Sequence, residues 1–422
     1  MPILQTHEFR VRKLITLSLV AMGLYSAGAR ADDADKPIFL FSGFGTLGLV
    51  HSSENKADFT SDWFRPNGAG YSHAWSADVD SRIGAQVTAN FSPQISAVVQ
   101  VISEQRYDNS YIPGVEWANI QYQFTPDLSI RVGRIVLPDF LVSDYRKLGY
   151  SNVWVRPPVE VYGLLPFNSS DGVDASYRVH AGEITNTLQV ICGNAETKLP
   201  NAIGGGTAQT KDAWAISDTV EYGHTTLHVN YHQTSLAVDA YKQLFDGFRL
   251  FGPEGIAIAD KYDVANKRLR LITLGASYNP GNWFVMGEWG SGNIIGIGNR
   301  SAWYAGGGYR LGQFTPYLTY AQVKADSNTS DPGLNVSTLP PYLAVPAASL
   351  NASLNTLLGS TPVQKTISVG TRWDFMKNTD LKLQFDHILI GAGSSGVLTD
   401  IQPGFQTGGK VNVFSTTIDF VF

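Results

Sequence analysis

Residues 74–91 read AWSADVDSRIGAQVTANF. Trp75, Ala77, Val79, Ile83, Ala85, Val87, Ala89 and Phe91 fall on alternate positions, and Asp78, Asp80, Arg82, Gln86, Thr88 and Asn90 lie between them. A period of two predicts a β-strand with one apolar and one polar face. The run is about three times the 5–6 residues of an ordinary strand. A tilted strand that crosses a bilayer needs about 9–11 residues. The apolar face of so long a strand is expected to meet lipid, and the polar face water.

The pattern recurs along the chain. ISAVVQVISEQRY (95–107), VEWANIQYQF (115–124), LSIRVGRI (128–135), TTLHVNYHQTS (225–235) and GKVNVFSTTIDFVF (409–422) all alternate. Sixteen such segments can be counted from PIFLFSGFGTLGLVH (37–51) to the end. Connections alternate too. SPQ, TPD, PGN and LGQ are tight, whereas 53–73, 136–170, 195–211, 237–266, 326–361 and 392–408 are long. An even strand number with short turns on one side and long loops on the other predicts an all-β fold, a transmembrane antiparallel β-barrel. In hydrocarbon every backbone donor and acceptor must be paired, so the sheet has to close. The segment 326–361, rich in Ser, Asn, Pro and Leu, reads as one surface loop. Aromatics near strand ends (Phe91, Phe124, Trp283, Trp303, Tyr317, Trp373 and Phe375) are expected to form an interfacial girdle.

Composition fits an exported chain. Of 422 residues, 42 are glycine, 12% are aromatic and only 16% are charged, and the formal net charge is −5. Arg10, Arg12 and Lys13 precede an apolar run from Leu14 to Tyr25 and an Ala29-Arg30-Ala31 end. This is the pattern of a signal peptide over 1–31, leaving a single barrel domain over 32–422. The apolar run of about 12 residues is short of the roughly 20 that span a bilayer as a helix. Without 1–31 the chain carries 27 basic and 35 acidic residues, a balance of −8. That acidity provides no footprint for nucleic acid. One cysteine, Cys192, excludes an intrachain disulfide and a multi-thiolate zinc site. It shares the parity of Leu188 and Val190 and reads as an outward apolar residue. His224, His228 and His232 lie four apart, but on a strand that spacing covers about 13 Å, too far for one metal ion. No catalytic motif, cofactor or metal site is expected.

The mature chain resembles the sixteen-stranded, usually trimeric, general porins of Gram-negative outer membranes. FSGFGTLGLV (41–50), DSRIGAQVTANFSPQISAVVQV (80–101), LSIRVGRI (128–135), the insert after it and the terminal FSTTIDFVF (414–422) carry the resemblance. It implies outer-membrane location, passive diffusion of small hydrophilic solutes and a homotrimer. It implies that the third long loop folds into the lumen, and that Phe422, Phe420 and Ile418 are read by the barrel assembly machinery. The loop has Pro138-Asp139-Phe140 but lacks the paired glycines of the enterobacterial motif.

Selectivity in such a pore comes from charges facing one another across a narrow passage. Arg82, Arg106 and Arg131 lie on the inward parity of their strands. Arg134 is off parity after Gly133 and needs a bulge or a strand end to reach the lumen. From the loop come Asp139, Asp144 and Glu160, mixed with Arg146, Lys147 and Arg156. Two other functions fit an exported β-rich chain: an outer-membrane barrel enzyme of lipase or protease type, and a soluble secreted binding protein.

Overall fold

A computed structural model describes residues 38–201, 204–294 and 298–422. The expected signal peptide lies outside the described residues. Sixteen long strands form one antiparallel barrel. They are β1 (Phe39–Ser52), β2 (Arg82–Asn90), β3 (Ile95–Glu104), β4 (Gly114–Gln123), β5 (Leu128–Val136), β6 (Ser169–Ala181), β7 (Ile184–Asn194) and β8 (Thr207–Tyr222). Then follow β9 (Thr225–Val238), β10 (Lys267–Tyr278), β11 (Trp283–Ile294), β12 (Gly298–Tyr309), β13 (Phe314–Ala325), β14 (Gln364–Met376), β15 (Thr379–Ile390) and β16 (Lys410–Val421). Each pairs with its sequence neighbours, and β1 pairs with both β2 and β16, so the sheet has no free edge.

The terminus makes the closure. In register, Phe44 faces Val421 and Ser52 faces Val413. Gly43 and Phe422 exchange backbone hydrogen bonds of 2.9 and 3.0 Å. The rings of Phe422 and Phe420 lie over Gly43 and Gly45: a Cβ on either glycine would fall 2.2 or 2.3 Å from a ring carbon. The glycines of GFGTLG therefore receive aromatic rings of the same chain.

Alternation sorts the side chains as the sequence requires. Ile83, Ile120, Val132, Leu227, Val229, Leu274, Leu318, Val369 and Ile418 point outward and are exposed. Phe91, Tyr122, Phe124, Tyr222, Trp283, Tyr309, Phe314 and Phe422 form an exposed aromatic ring near the short turns. Tyr317 does not belong to it. It is buried inside, and its hydroxyl donates to Gln384 Oε1 at 2.9 Å.

Three expectations change. The run from Trp75 is not one strand. Trp75–Ser76 pairs with the end of β1, the chain leaves the ladder, and β2 starts at Arg82. Val79, between them, is buried in a cluster with Val50, Phe59, Ile388 and Leu398. Second, β8 starts at Thr207, so it takes in part of the expected loop, with a register shift between Lys211 and Trp214. Third, 326–361 is not a plain loop, because it contains a 19-residue helix (Pro341–Gly359). Ala347, Leu354 and Leu358 on one face of this helix pack against Phe245, Phe248 and Ile258 from two helices in the connection after β9. A stripe at helical spacing marks a helix that buries one face.

Candidate pore constriction

The segment 137–168 after β5 lies inside the barrel. Its sequence is suited to that place, with apolar residues to pack on the wall and polar ones to bind it. Leu137, Phe140, Val142, Trp154, Val161, Tyr162 and Leu165 form a buried cluster with Leu271, Ala302, Tyr304 and Tyr317 of the wall. These wall residues occupy lumen-facing positions that the alternation rule expects to be polar. They are apolar because the loop covers them, and burial of each large side chain contributes about 1.5–3 kcal/mol.

Polar anchors run around the circumference. The Asp139 carboxylate accepts from His232 Nδ1 at 2.8 Å and Asn230 Nδ2 at 3.1 Å. Glu288 on β11 accepts from the Leu141 backbone at 2.7 Å, from Tyr304 at 2.9 Å and from the Tyr162 hydroxyl. Trp154 Nε1 donates to Thr319 at 2.9 Å. Glu160 accepts from Gln364 Nε2 at 2.7 Å and from the Thr366 hydroxyl. Its burial pushes the carboxyl above the usual range, against these hydrogen bonds. Arg372 donates to the carbonyls of Tyr150 and Asn152, and Lys382 to that of Gly149. Arg156 donates to both Asp80 oxygens and to Ser415 Oγ. Lys147 bonds Glu104 and Glu116 at 2.9 and 2.7 Å.

The first long loop also turns inward. Arg65 pairs with Asp62 at 2.9 Å and with Glu104 at 3.0 Å. The Arg156 guanidinium lies 5.0 Å from the Phe59 ring centroid. Between the two loops and the wall remains a cleft open to solvent, lined among others by Arg65, Arg82, Arg146, Lys147 and Arg156 with Asp62 and Asp80.

The expected site residues divide. Arg82 faces the lumen, lines this cleft, and lies 3.9 Å from Glu104. Arg131 faces the lumen as well, but its guanidinium is bound by Asp174 of β6, at 2.9 Å from Nε. Asp144 is exposed on the inserted loop and makes no hydrogen bond or ion pair among the described residues. Water reaches it, yet the surrounding wall desolvates its carboxyl and pushes it above the usual range, while Arg131 pulls it down.

Four expectations fail. Arg106 lies beyond the end of β3 and donates to the Ile112 carbonyl of its own loop, at 3.3 Å. Arg134 stays on the outer face, because the β4–β5 ladder is regular from Ala118–Arg134 to Gln123–Ser129 and has no bulge to rotate it inward. There it forms a bidentate pair with Asp171 at 2.7 Å, with side chains 40% and 60% exposed. Asp139 and Glu160 are buried anchors of the loop, not acids exposed to the passage. Sequence reasoning missed Asp62, Arg65, Asp80, Glu104, Glu116 and Glu288. Glu288 was detectable as the one acid on the inward parity of WFVMGEWGSG.

His228 and His232 prove to be loop anchors: His228 Nε2 lies 3.1 Å from the Pro138 carbonyl oxygen. Cys192 is exposed on the outer face, as its parity requires. No group of His, Cys, Asp and Glu able to hold a metal ion occurs among the described residues.

No protein-family model matches the chain, and no curated protein sequence matches it. Solved structures do. The anion-selective porin from Comamonas acidovorans aligns with a TM-score of 0.53 at 13% identity, over 91% of this chain and 99% of that one. The chain has the porin fold. The outer-membrane channel DcaP of Acinetobacter baumannii aligns at 0.52 and 12% identity, over 94% and 100%. Salmonella typhi OmpF, in complex with daunomycin, aligns at 0.53 and 12%, over 91% and 97%. The closed barrel architecture is common to these proteins and this chain. At such identities the likeness does not extend to side chains.

Proposed function

We propose that the protein is an outer-membrane porin, a water-filled channel for passive diffusion of small hydrophilic solutes or ions. The observation that carries this reading is the two-sided barrel. Its outer face is a band of exposed apolar residues with an aromatic ring, and its inner face is polar and holds a charged, anchored loop. Charged groups placed on the lipid side of such a barrel cost about 2–4 kcal/mol near the midplane, whereas inside they meet water. Arg82, Arg131 and Asp144 are the charges we assign to the constriction. A channel accounts for these groups, whereas an enzyme of lipase or protease type would need a nucleophile or acid–His constellation at the rim. Two His–Asp contacts occur among the described residues. His232 with Asp139 is buried and holds the loop. His180 lies 3.6 Å from Asp127 and 3.2 Å from the Thr185 hydroxyl, exposed beside the short turns and away from the charged lumen that the channel reading explains.

A homotrimer is proposed from the resemblance to trimeric porins, with the exposed Arg134–Asp171 pair on the outer face as a polar contact available to a neighbouring subunit. Phe422, Phe420 and Ile418 are proposed as the signal read by the barrel assembly machinery, and residues 1–31 as the export signal. Liposome swelling tests the channel reading. Vesicles containing the protein should swell in isotonic solutions of small sugars, more slowly as the sugar grows. Vesicles that do not swell in any of them would refute it.

A further inference from the structure

The cleft between the first loop, the inserted loop and the wall has an uneven distribution of charge. Every carboxylate there is already engaged: Asp62 by Arg65, Asp80 by Arg156, and Glu104 by Arg65 and Lys147. The cations are not all engaged in return. Arg146 has no carboxylate within ion-pair distance among the described residues. Its only polar contact there is with the Tyr162 carbonyl at 3.4 Å, and it lies 5.3 Å from the centroid of the Tyr162 ring. Arg82 has only the Asp80 carbonyl at 3.2 Å and Glu104 at 3.9 Å. Burial pushes the Arg146 guanidinium below its ordinary range. Asp62, Tyr162 and Glu116 oppose that shift and nearby Arg82 adds to it. Arg146 thus has no anion in this cleft, and Arg82 has only a distant share of Glu104, which Arg65 and Lys147 hold more closely. Ser61 Oγ and Asn168 Oδ1 belong to residues lining the same cleft, and neither has a hydrogen-bond partner.

We infer that this cleft binds an oxyanion group, a carboxylate or a phosphate, on a small hydroxylated solute, held between Arg146 and Arg82. The inference rests on the channel reading and assigns that channel a class of solute. Guanidinium presents a planar fork of donors that matches a carboxylate or phosphate edge. An anion here relieves the repulsion between the two arginines, and Ser61 and Asn168 place buried polar atoms without partners beside it. A cation would find no free carboxylate.

Calorimetric titration of the detergent-purified barrel at low salt, with gluconate, inorganic phosphate and neutral sorbitol, tests the site. Block of potassium chloride current by the same solutes in planar bilayers gives a second readout. Gluconate or phosphate should bind and block, and sorbitol should do neither. The tighter of the two anions identifies which oxyanion the site prefers. Arg146→Gln should weaken the anion at least about tenfold, the factor for losing a charged hydrogen bond, and Arg146→Lys should lose less. Arg82→Gln gives the same comparison should Arg146→Gln fail to show the heat-modifiable gel mobility of a folded barrel. The inference is overturned if neither anion binds more tightly than sorbitol, or if folded variants at both arginines bind within twofold of the parent. Anion binding by a barrel that conducts no current would retain the site and overturn the channel. Current without anion binding would do the reverse.

Discussion

Arg156→Gln should release the inserted loop while leaving the barrel intact. Arg156 is buried, with its guanidinium on both oxygens of buried Asp80, on Ser415 at 2.7 Å, and 3.4 Å from Asp386. Removing it leaves two buried carboxylates facing one another with no cation. Breaking such a pair costs about 3–5 kcal/mol. At about 1.4 kcal/mol per decade, the undocked state of the neighbouring loop segment should gain roughly 10²–10⁴-fold in population. The strand ladders do not pass through Arg156, so the wall should keep its stability. Hydrogen exchange read by mass spectrometry separates the two. The Val155 amide, which donates to Gln384 at 3.2 Å, and its neighbours in 153–163 should lose protection by that factor, while β9–β13 keep theirs. Single-channel traces should become noisier as the loop moves. Unchanged loop protection in a folded variant would refute the assignment of Arg156 as the anchor.

Gly45→Val should hinder closure, since its Cβ would stand 2.3 Å from a carbon of the Phe420 ring and displace it. The yield of heat-modifiable barrel on unheated gels should fall well below that of Leu47→Val, which trims an exposed side chain on the same strand and the same face. Deleting Phe422 should lower insertion into the outer membrane, measured as barrel per total protein, but leave the conductance of the molecules that do insert unchanged. Arg82→Ala should shift the reversal potential in a salt gradient towards cation preference. An unchanged potential would remove Arg82 from the constriction.

The wall was legible in the sequence because lipid and water impose opposite demands on alternate residues. The strand number, the short turns and the outward parity of Ile418, Phe420 and Phe422 follow from that one rule. The loops were not legible, because their partners are distant in sequence. Asp139 and Glu160 look like free acids until His232, Asn230, Gln364 and Thr366 are brought to them from β9 and β14. Arg106 looks inward only if β3 is extended past Glu104. Arg134 could be excluded from parity alone, given a regular ladder. The helix Pro341–Gly359 was obscured by its Pro, Ser and Asn content, although Ala347, Leu354 and Leu358 carry a helical spacing. Phe59 and Arg65 carry no signal of folding inward, since nothing local distinguishes a loop that enters a lumen from one that leaves it.

Planar-bilayer recording of the purified protein is the most direct test of the channel. A water-filled barrel should give stepwise, ohmic current increments in potassium chloride, each step marking one insertion. Bilayers that stay silent, with protein shown by heat-modifiable mobility to be folded and inserted, would contradict it.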